Sequence, residues 1–134
     1  MPELRIERVE RHRITALRDR VLSDATHTVR TVSGDRATTT RHWAALLGET
    51  VVGCASVMQL RGHALRAMAV APEHQGAGVG AALLRVVVAE VDRPMWCNAR
   101  LAAVPFYARM GWVAVGPVFV LQDRGPHQRM TWDV

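Results

Sequence analysis

The 134-residue sequence predicts one mixed α/β domain of the α+β kind, spanning residues 1–134, and three features carry the prediction. From His42, three apolar runs follow one another across turns of two or three residues, the pattern of a β-meander. Two helix-like stretches, Ala77 to Val91 and Ala102 to Met110, then alternate with a short apolar strand. Two more apolar runs close the chain, giving the order β-α-β-β-β-α-β-α-β-β without linker, low-complexity segment or internal repeat.

Each element has its own signal. Leu4, Ile6 and Val9 begin a short charged strand. Ile14, Leu17, Val21 and Leu22 recur at helical spacing, so Arg11 to Ser23 reads as an amphipathic helix. Asp24 to Thr40 is rich in Thr, Ser, Asp and Gly and reads as a loop or a frayed short helix. The meander is HWAALLG, the turn Gly48-Glu49-Thr50, VVGCASVMQL, the turn Arg61-Gly62, and HALRAMAVA. Pro72 stops the third run because it cannot donate to a ladder. Ala77 to Val91 is polar only at Arg85 and Glu90, which predicts a largely buried helix, and Asp92-Arg93-Pro94 ends it. MWCNA is a short strand. Ala102 to Met110 carries Pro105 in its first turn and is stopped by Gly111, the asymmetry expected of helix ends. WVAVGPVFVL and QRMTWDV are the closing strands, with Asp123-Arg124-Gly125-Pro126 between them.

Composition excludes several function classes. The 17 basic residues are all arginine, so lysine Schiff-base chemistry and the Gly-Lys-Ser/Thr phosphate loop are both absent. The net charge of +5 favours anionic ligands or acidic partners. No run of adjacent Arg and aromatic residues builds a nucleic-acid platform, and the N-terminal arginines are interspersed with Glu3, Glu7, Glu10 and Asp19. Cys54 and Cys97 lie inside apolar segments, as reduced core thiols do, and form no metal-ligand cluster. No apolar run reaches the roughly 20 residues of a membrane span, and Met1 to Arg13 is too charged for a secretory signal. A soluble cytoplasmic protein without metal is the expectation.

The stretch Gln75-Gly76-Ala77-Gly78-Val79-Gly80 joins the third meander strand to the second long helix. A helix N-terminus offers free amides and partial positive charge to phosphate, and glycines let the backbone approach closely. Gly76, Gly78 and Ala81 fit the dinucleotide pattern G-x-G-x-x-A, but Pro72-Glu73-His74-Gln75 separate strand from glycine. The next strand ends in Asn98 rather than an acid, and hairpins replace the βαβ repeat that pattern requires.

The same stretch resembles the Gln/Arg-x-x-Gly-x-Gly/Ala motif of the GNAT acetyltransferase superfamily, and NARLAAVPFYARMGW, Asn98 to Trp112, resembles that family's next motif. The two blocks cover about Ala64 to Trp112. The resemblance implies a mixed central sheet of about six to seven strands, splayed at its centre, and N-acetyltransferase activity with acetyl-coenzyme A as cosubstrate. It implies that Gln75, Gly76, Ala77, Gly78, Val79 and Gly80 hold the pyrophosphate through amides, and that Met68, Ala69 and Val70 lend backbone groups to the pantetheine arm. An amide near Met68 would polarise the thioester carbonyl. Asn98 would bond the pantetheine or position a water. Tyr107, the only tyrosine, would sit beside the coenzyme sulfur and protonate the departing thiolate.

The amine must also lose a proton. Some family members use a Glu on the strand before the glycine loop, and HALRAMAVA contains no acid. Glu73 and Glu49 are expected to face solvent. Of the six histidines, His127, in the GPHQRM segment entering the last strand, is the candidate base, with water-mediated deprotonation as the default. The expected partner is an amine on a small molecule or peptide, with no nucleic acid and no membrane. A homodimer through the edge strands near Val113 to Val134 accords with the family. The rival functions are a non-catalytic acyl-coenzyme A-binding module on the same fold and an arginine-rich nucleic-acid binder.

Overall fold

A computed structural model of the chain describes residues 3–133. It contains seven strands: β1 (Leu4–Val9), β2 (Arg41–Leu47), β3 (Thr50–Gln59), β4 (His63–Val70), β5 (Met95–Arg100), β6 (Val113–Leu121) and β7 (Gly125–Trp132). Three helices join them: α1 (Thr15–Leu22), α2 (Val79–Glu90) and α3 (Val104–Arg109). The strands form one sheet in the order β1-β2-β3-β4-β5-β7-β6, antiparallel everywhere except between β4 and β5. This is the expected element order, with boundaries moved. Arg11–Arg13 is a separate 3-10 turn before α1, α2 begins at Val79 rather than Ala77, and β7 begins at Gly125, so His127 lies inside the strand.

The meander strands are apolar on both faces because both faces are covered. Ile14, at the N-cap of α1, and Leu17 within it pack with Ala44, Leu46, Cys54 and Ala69 on one side. Leu83, Leu84 and Val87 of α2 and Tyr107 of α3 pack with Trp43, Ala55, Val57, Leu65 and Cys97 on the other. Trp43 is fully buried, and its indole Nε1 donates to Glu90 Oε1 at 3.2 Å, tying the last turn of α2 to β2. Gly53 brings the start of α2 onto the sheet, since a Cβ there would lie 3.1 Å from Val79 Cγ1 and 3.2 Å from Ala45 Cβ.

The sheet opens at its one parallel junction. β4 pairs with β5 only through His63–Met95 and Ala64–Trp96, and beyond that point the strands part. On its other edge β4 shifts register against β3, with Ser56 opposite Arg66 and Cys54 opposite Ala69. Two residues, Ala67 and Met68, therefore face the single Ala55, a β-bulge that bends β4. Ala67 takes the left-handed conformation at φ 51°. The bulge also resets the alternation, so Met68 and Val70 point toward α2 and α3.

At the far edge, β6 exposes Val113, Val115, Val118 and Val120. Its ladder with β7 is interrupted between Val115 and Phe119, where Gln128 Nε2 donates to the carbonyls of Val115 and Gly116 at 3.0 Å each. No helix among the described residues is long and apolar enough to cross a membrane.

Candidate active site

A cleft of about 670 Å³ occupies the opening between β4, the glycine loop, α2 and α3. Its walls include Met68, Ala69, Val70, Gln75, Gly76, Gly78, Val79, Gly80 and Tyr107, nearly the whole set expected from the sequence. Ala77 and Asn98 are not on its walls.

The loop is built for close approach. Gly76 and Gly78 adopt left-handed conformations at φ 81° and 86°, and a Cβ at either would meet nothing within 4 Å. Gly78 is the N-cap of α2 and offers no side-chain cap. The first amide to bond back into the helix is that of Ala82, to Gly78 O at 3.0 Å. The amides of Gly76 through Ala81 donate to no backbone group among the described residues. These free donors, the helix dipole and a bare backbone fit a diphosphate. Gln75 contributes differently from its expected main-chain role: its Nε2 donates to Val70 O at 3.0 Å and fastens the loop to the end of β4.

Two arginines extend the positive field along the same cleft. Arg85 lies seven residues after Gly78, two helical turns along the same face, and Arg109 ends α3. The Gly78-to-Arg85 spacing was a legible signal that sequence reasoning passed over. Phe106 closes the floor, with its ring 3.5 Å from where a Gly80 Cβ would stand.

Tyr107 lies at the inner end of the cleft, 7% exposed, with its hydroxyl donating to Met68 Sδ at 3.8 Å. Its ring packs edge-on to Phe106 at 5.2 Å and tilted to Trp112 at 5.4 Å. Burial, and then the neighbouring Cys97 thiol, hold the phenol far above its usual range, so it is neutral at physiological pH and can give a proton. Burial also pushes Cys97 up to about 12 and Cys54 up to about 11. Neither thiol is a thiolate at neutral pH, which argues against a covalent acyl-enzyme.

The other candidates lie on the opposite face, toward α1. The strand pairings Asn98–Arg129 and Arg100–His127 put all four residues on that face of β5 and β7. Asn98 Oδ1 accepts from Arg129 Nε at 2.9 Å. His127 is buried, stacked on Phe119, and its Nδ1 donates to Gly125 O at 2.8 Å, which leaves Nε2 as the unprotonated nitrogen of the neutral ring. Glu49 is exposed, as expected. Glu73 is exposed but held bidentate by Arg20, and the Arg20 hydrogen bonds lower its carboxyl to about 2. Among the described residues no three His, Cys, Asp or Glu side chains gather as metal ligands.

Sequence reasoning missed a buried polar network beneath α1. Arg18, 0% exposed, donates from Nη1 to Asp35 Oδ2 at 2.6 Å, from Nη2 to Asp35 Oδ1 at 3.0 Å, and from Nη2 to Ser56 Oγ at 2.6 Å. His42 Nδ1 lies 2.7 Å from the same hydroxyl. The network anchors the 24–40 loop, which also reaches the β6–β7 turn through Asp24 and Arg124 at 3.9 Å.

A sheet split between its two parallel strands, with a glycine loop and an open helix N-terminus beside the split, offers a seat for a phosphate group and a free strand edge for an extended arm. The sequence matches the acetyltransferase (GNAT) domain over residues 11–134, and the chain belongs to this family of acetyl-coenzyme A-dependent acetyltransferases. Solved structures share the fold. ElaA of Escherichia coli superimposes with a TM-score of 0.82 at 17% identity, covering 96% of this chain and 99% of that one. An acyl-CoA N-acyltransferase from Pseudomonas aeruginosa gives 0.81 at 18% identity, covering 96% and 99%. An aminoglycoside 6'-N-acetyltransferase complexed with coenzyme A gives 0.79 at 13% identity, covering 96% of each chain. No curated protein matches the sequence at a significant level.

Proposed function

We propose that the chain is an N-acetyltransferase in which an acceptor amine attacks the thioester of acetyl-coenzyme A directly, both substrates being bound at once. The observation that carries this reading is the continuity of one cleft from the free amides at the start of α2 to the Tyr107 hydroxyl, along an edge of β4 that has no β5 partner. The amides of Gly76 through Ala81, with Arg85 and Arg109, hold the diphosphate end. The unpaired edge of β4 at Met68, Ala69 and Val70 takes the pantetheine arm as a sheet takes an added strand, and a backbone amide there stabilises the developing oxyanion. Tyr107 donates its proton to the leaving sulfur.

The amine arrives from the α1 face, where Asn98 stands beside the split. His127 Nε2 lies on that same face and accepts the amine's proton directly or through water.

Titration calorimetry of the purified chain tests the reading: acetyl-coenzyme A and coenzyme A are expected to bind, and a nicotinamide dinucleotide is not. Heat from the dinucleotide alone would refute it. Binding without coenzyme release in the presence of any amine would favour the non-catalytic module.

A further inference from the structure

A second, smaller cleft of about 240 Å³ opens on the face opposite α2 and α3, the face that also carries Asn98 and His127. Arg61 and Arg129 flank it, and Trp96, Val115 and Thr131 line its walls. Arg129 is set in place by two contacts of its own. Its guanidinium lies 4.2 Å over the Trp96 ring, and its Nε is spent on Asn98 Oδ1 at 2.9 Å. Both contacts leave the terminal Nη groups without a hydrogen-bond partner among the described residues, a planar fork on a residue that lines the cleft.

The charged residues lining this cleft are both arginines. Ser56 faces Arg66 and Asn98 faces Arg129 across the ladders, so Arg66, Arg100 and Arg129 present to one face around the split. Among the described residues, none of these three, nor Arg61, lies within 4 Å of a carboxylate. Four acids are engaged by other arginines, Asp35 by Arg18, Asp24 by Arg124, Glu73 by Arg20 and Asp19 by Arg30. Unneutralised arginines held rigid beside a reaction centre repel a cationic acceptor and attract an anionic one.

Resting on the acetyltransferase reading, we infer that the acceptor is a compact amine carrying an oxyanion, a carboxylate in the first instance, which Arg129 grips while Arg61 screens it. Trp96 and Asn98 are two residues apart on β5, about 7 Å along a strand. An amine within that distance of its acid group therefore reaches the split from the Arg129 cleft. A polyamine or an unsubstituted alkylamine leaves the fork empty. The planar, bidentate match of guanidinium to carboxylate sets the preference.

The test compares initial rates of coenzyme release for matched acceptors: an amino acid against its amide, and an aminoalkyl phosphate against the corresponding amino alcohol. The anionic member of at least one pair is expected to have a kcat/KM at least tenfold higher, and which pair shows it identifies the oxyanion. Arg129→Gln is expected to raise KM for the anionic acceptor tenfold or more while moving that of the neutral one less than twofold, with Arg129→Lys restoring part of the loss. Arg61→Gln, at an exposed position, gives the same discrimination at smaller size should Arg129→Gln fold poorly. Equal rates within both pairs overturn the inference while leaving the acetyltransferase reading intact. If acetyl-coenzyme A fails to bind, that reading falls first, and calorimetry with an N-acetyl amino acid then decides the cleft alone. Salt-sensitive binding that Arg129→Gln abolishes upholds the cleft, and no binding overturns it.

Discussion

Tyr107 keeps its proton at neutral pH because burial and the adjacent Cys97 disfavour the phenolate, and that is the condition a general acid has to meet. Tyr107→Phe preserves the ring packing against Phe106 and Trp112 and removes only the hydroxyl. It is expected to lower kcat at least tenfold while the acetyl-coenzyme A dissociation constant, measured by calorimetry, stays within about twofold. Unchanged turnover would take Tyr107 out of the reaction. Asp35 is a structural counterpart. Removing it as Asp35→Ala strands the guanidinium of Arg18, 0% exposed, without its charge partner, and the expected loss is about 3–5 kcal/mol in denaturant unfolding.

Between elements, the glycine loop and α2 act together, and the glycines there differ in kind. Gly78 faces open space, so the Cβ of Gly78→Val meets no atom and the change costs about 1–2 kcal/mol for its left-handed backbone, yet it masks the amides beside it. Coenzyme affinity is expected to fall at least tenfold with only a modest drop in Tm. Gly111 is also left-handed, at φ 92°, but a Cβ there would lie 2.9 Å from the Trp132 ring. Its substitution is a folding defect with no particular effect on the cleft.

The same level shows what the chain order made legible. The turn at Gly76 to Gly80 could be read because its signal is local: strand, glycines, helix, within a dozen residues. The Arg18 network could not, since Arg18, Asp35, His42 and Ser56 come from α1, a loop and two strands, and Arg18 reads as a polar position on an amphipathic helix. Arg129 shared that obscurity. Its alignment with Asn98 depends on how β5 and β7 register, which a sequence without that pairing does not state. Pro126 reads as a turn residue and sets His127 at the entrance to the last strand, whereas the ladder already begins at Gly125.

Taken whole, the molecule combines a net charge of +5 with acids tied up in ion pairs, and this sets its response to pH. Burial, and then Arg18, lower His42 below its ordinary 6.5. Burial opposes the ionisation of Asp35, but the Arg18 hydrogen bonds, the Val32 amide and the Arg18 charge together outweigh it and hold the carboxyl below 3.8. Both groups have folded-state values under their unfolded ones, so each contributes stability above its unfolded pKa and loses it as pH falls through the folded pKa. Acidification is expected to lower Tm from about pH 6.5 downward through His42, with a second decline below about pH 4 through Asp35. His42→Gln should erase the first phase and spare the second.

Ala67 bears the conformation that parts β4 from β5, at a φ of 51° where glycine sits more comfortably than alanine. A glycine in its place would relax the kink while loosening the chain before it folds, two effects of about 1 kcal/mol that nearly cancel in the melting curve. The methyl group therefore does little for durability, and its worth lies in stiffness: it narrows the range of angles through which the mouth can swing. An Ala67→Gly enzyme should melt within a few degrees of the parent, yet exchange backbone hydrogens at Met68 to Val70 faster and hold its thioester less steadily.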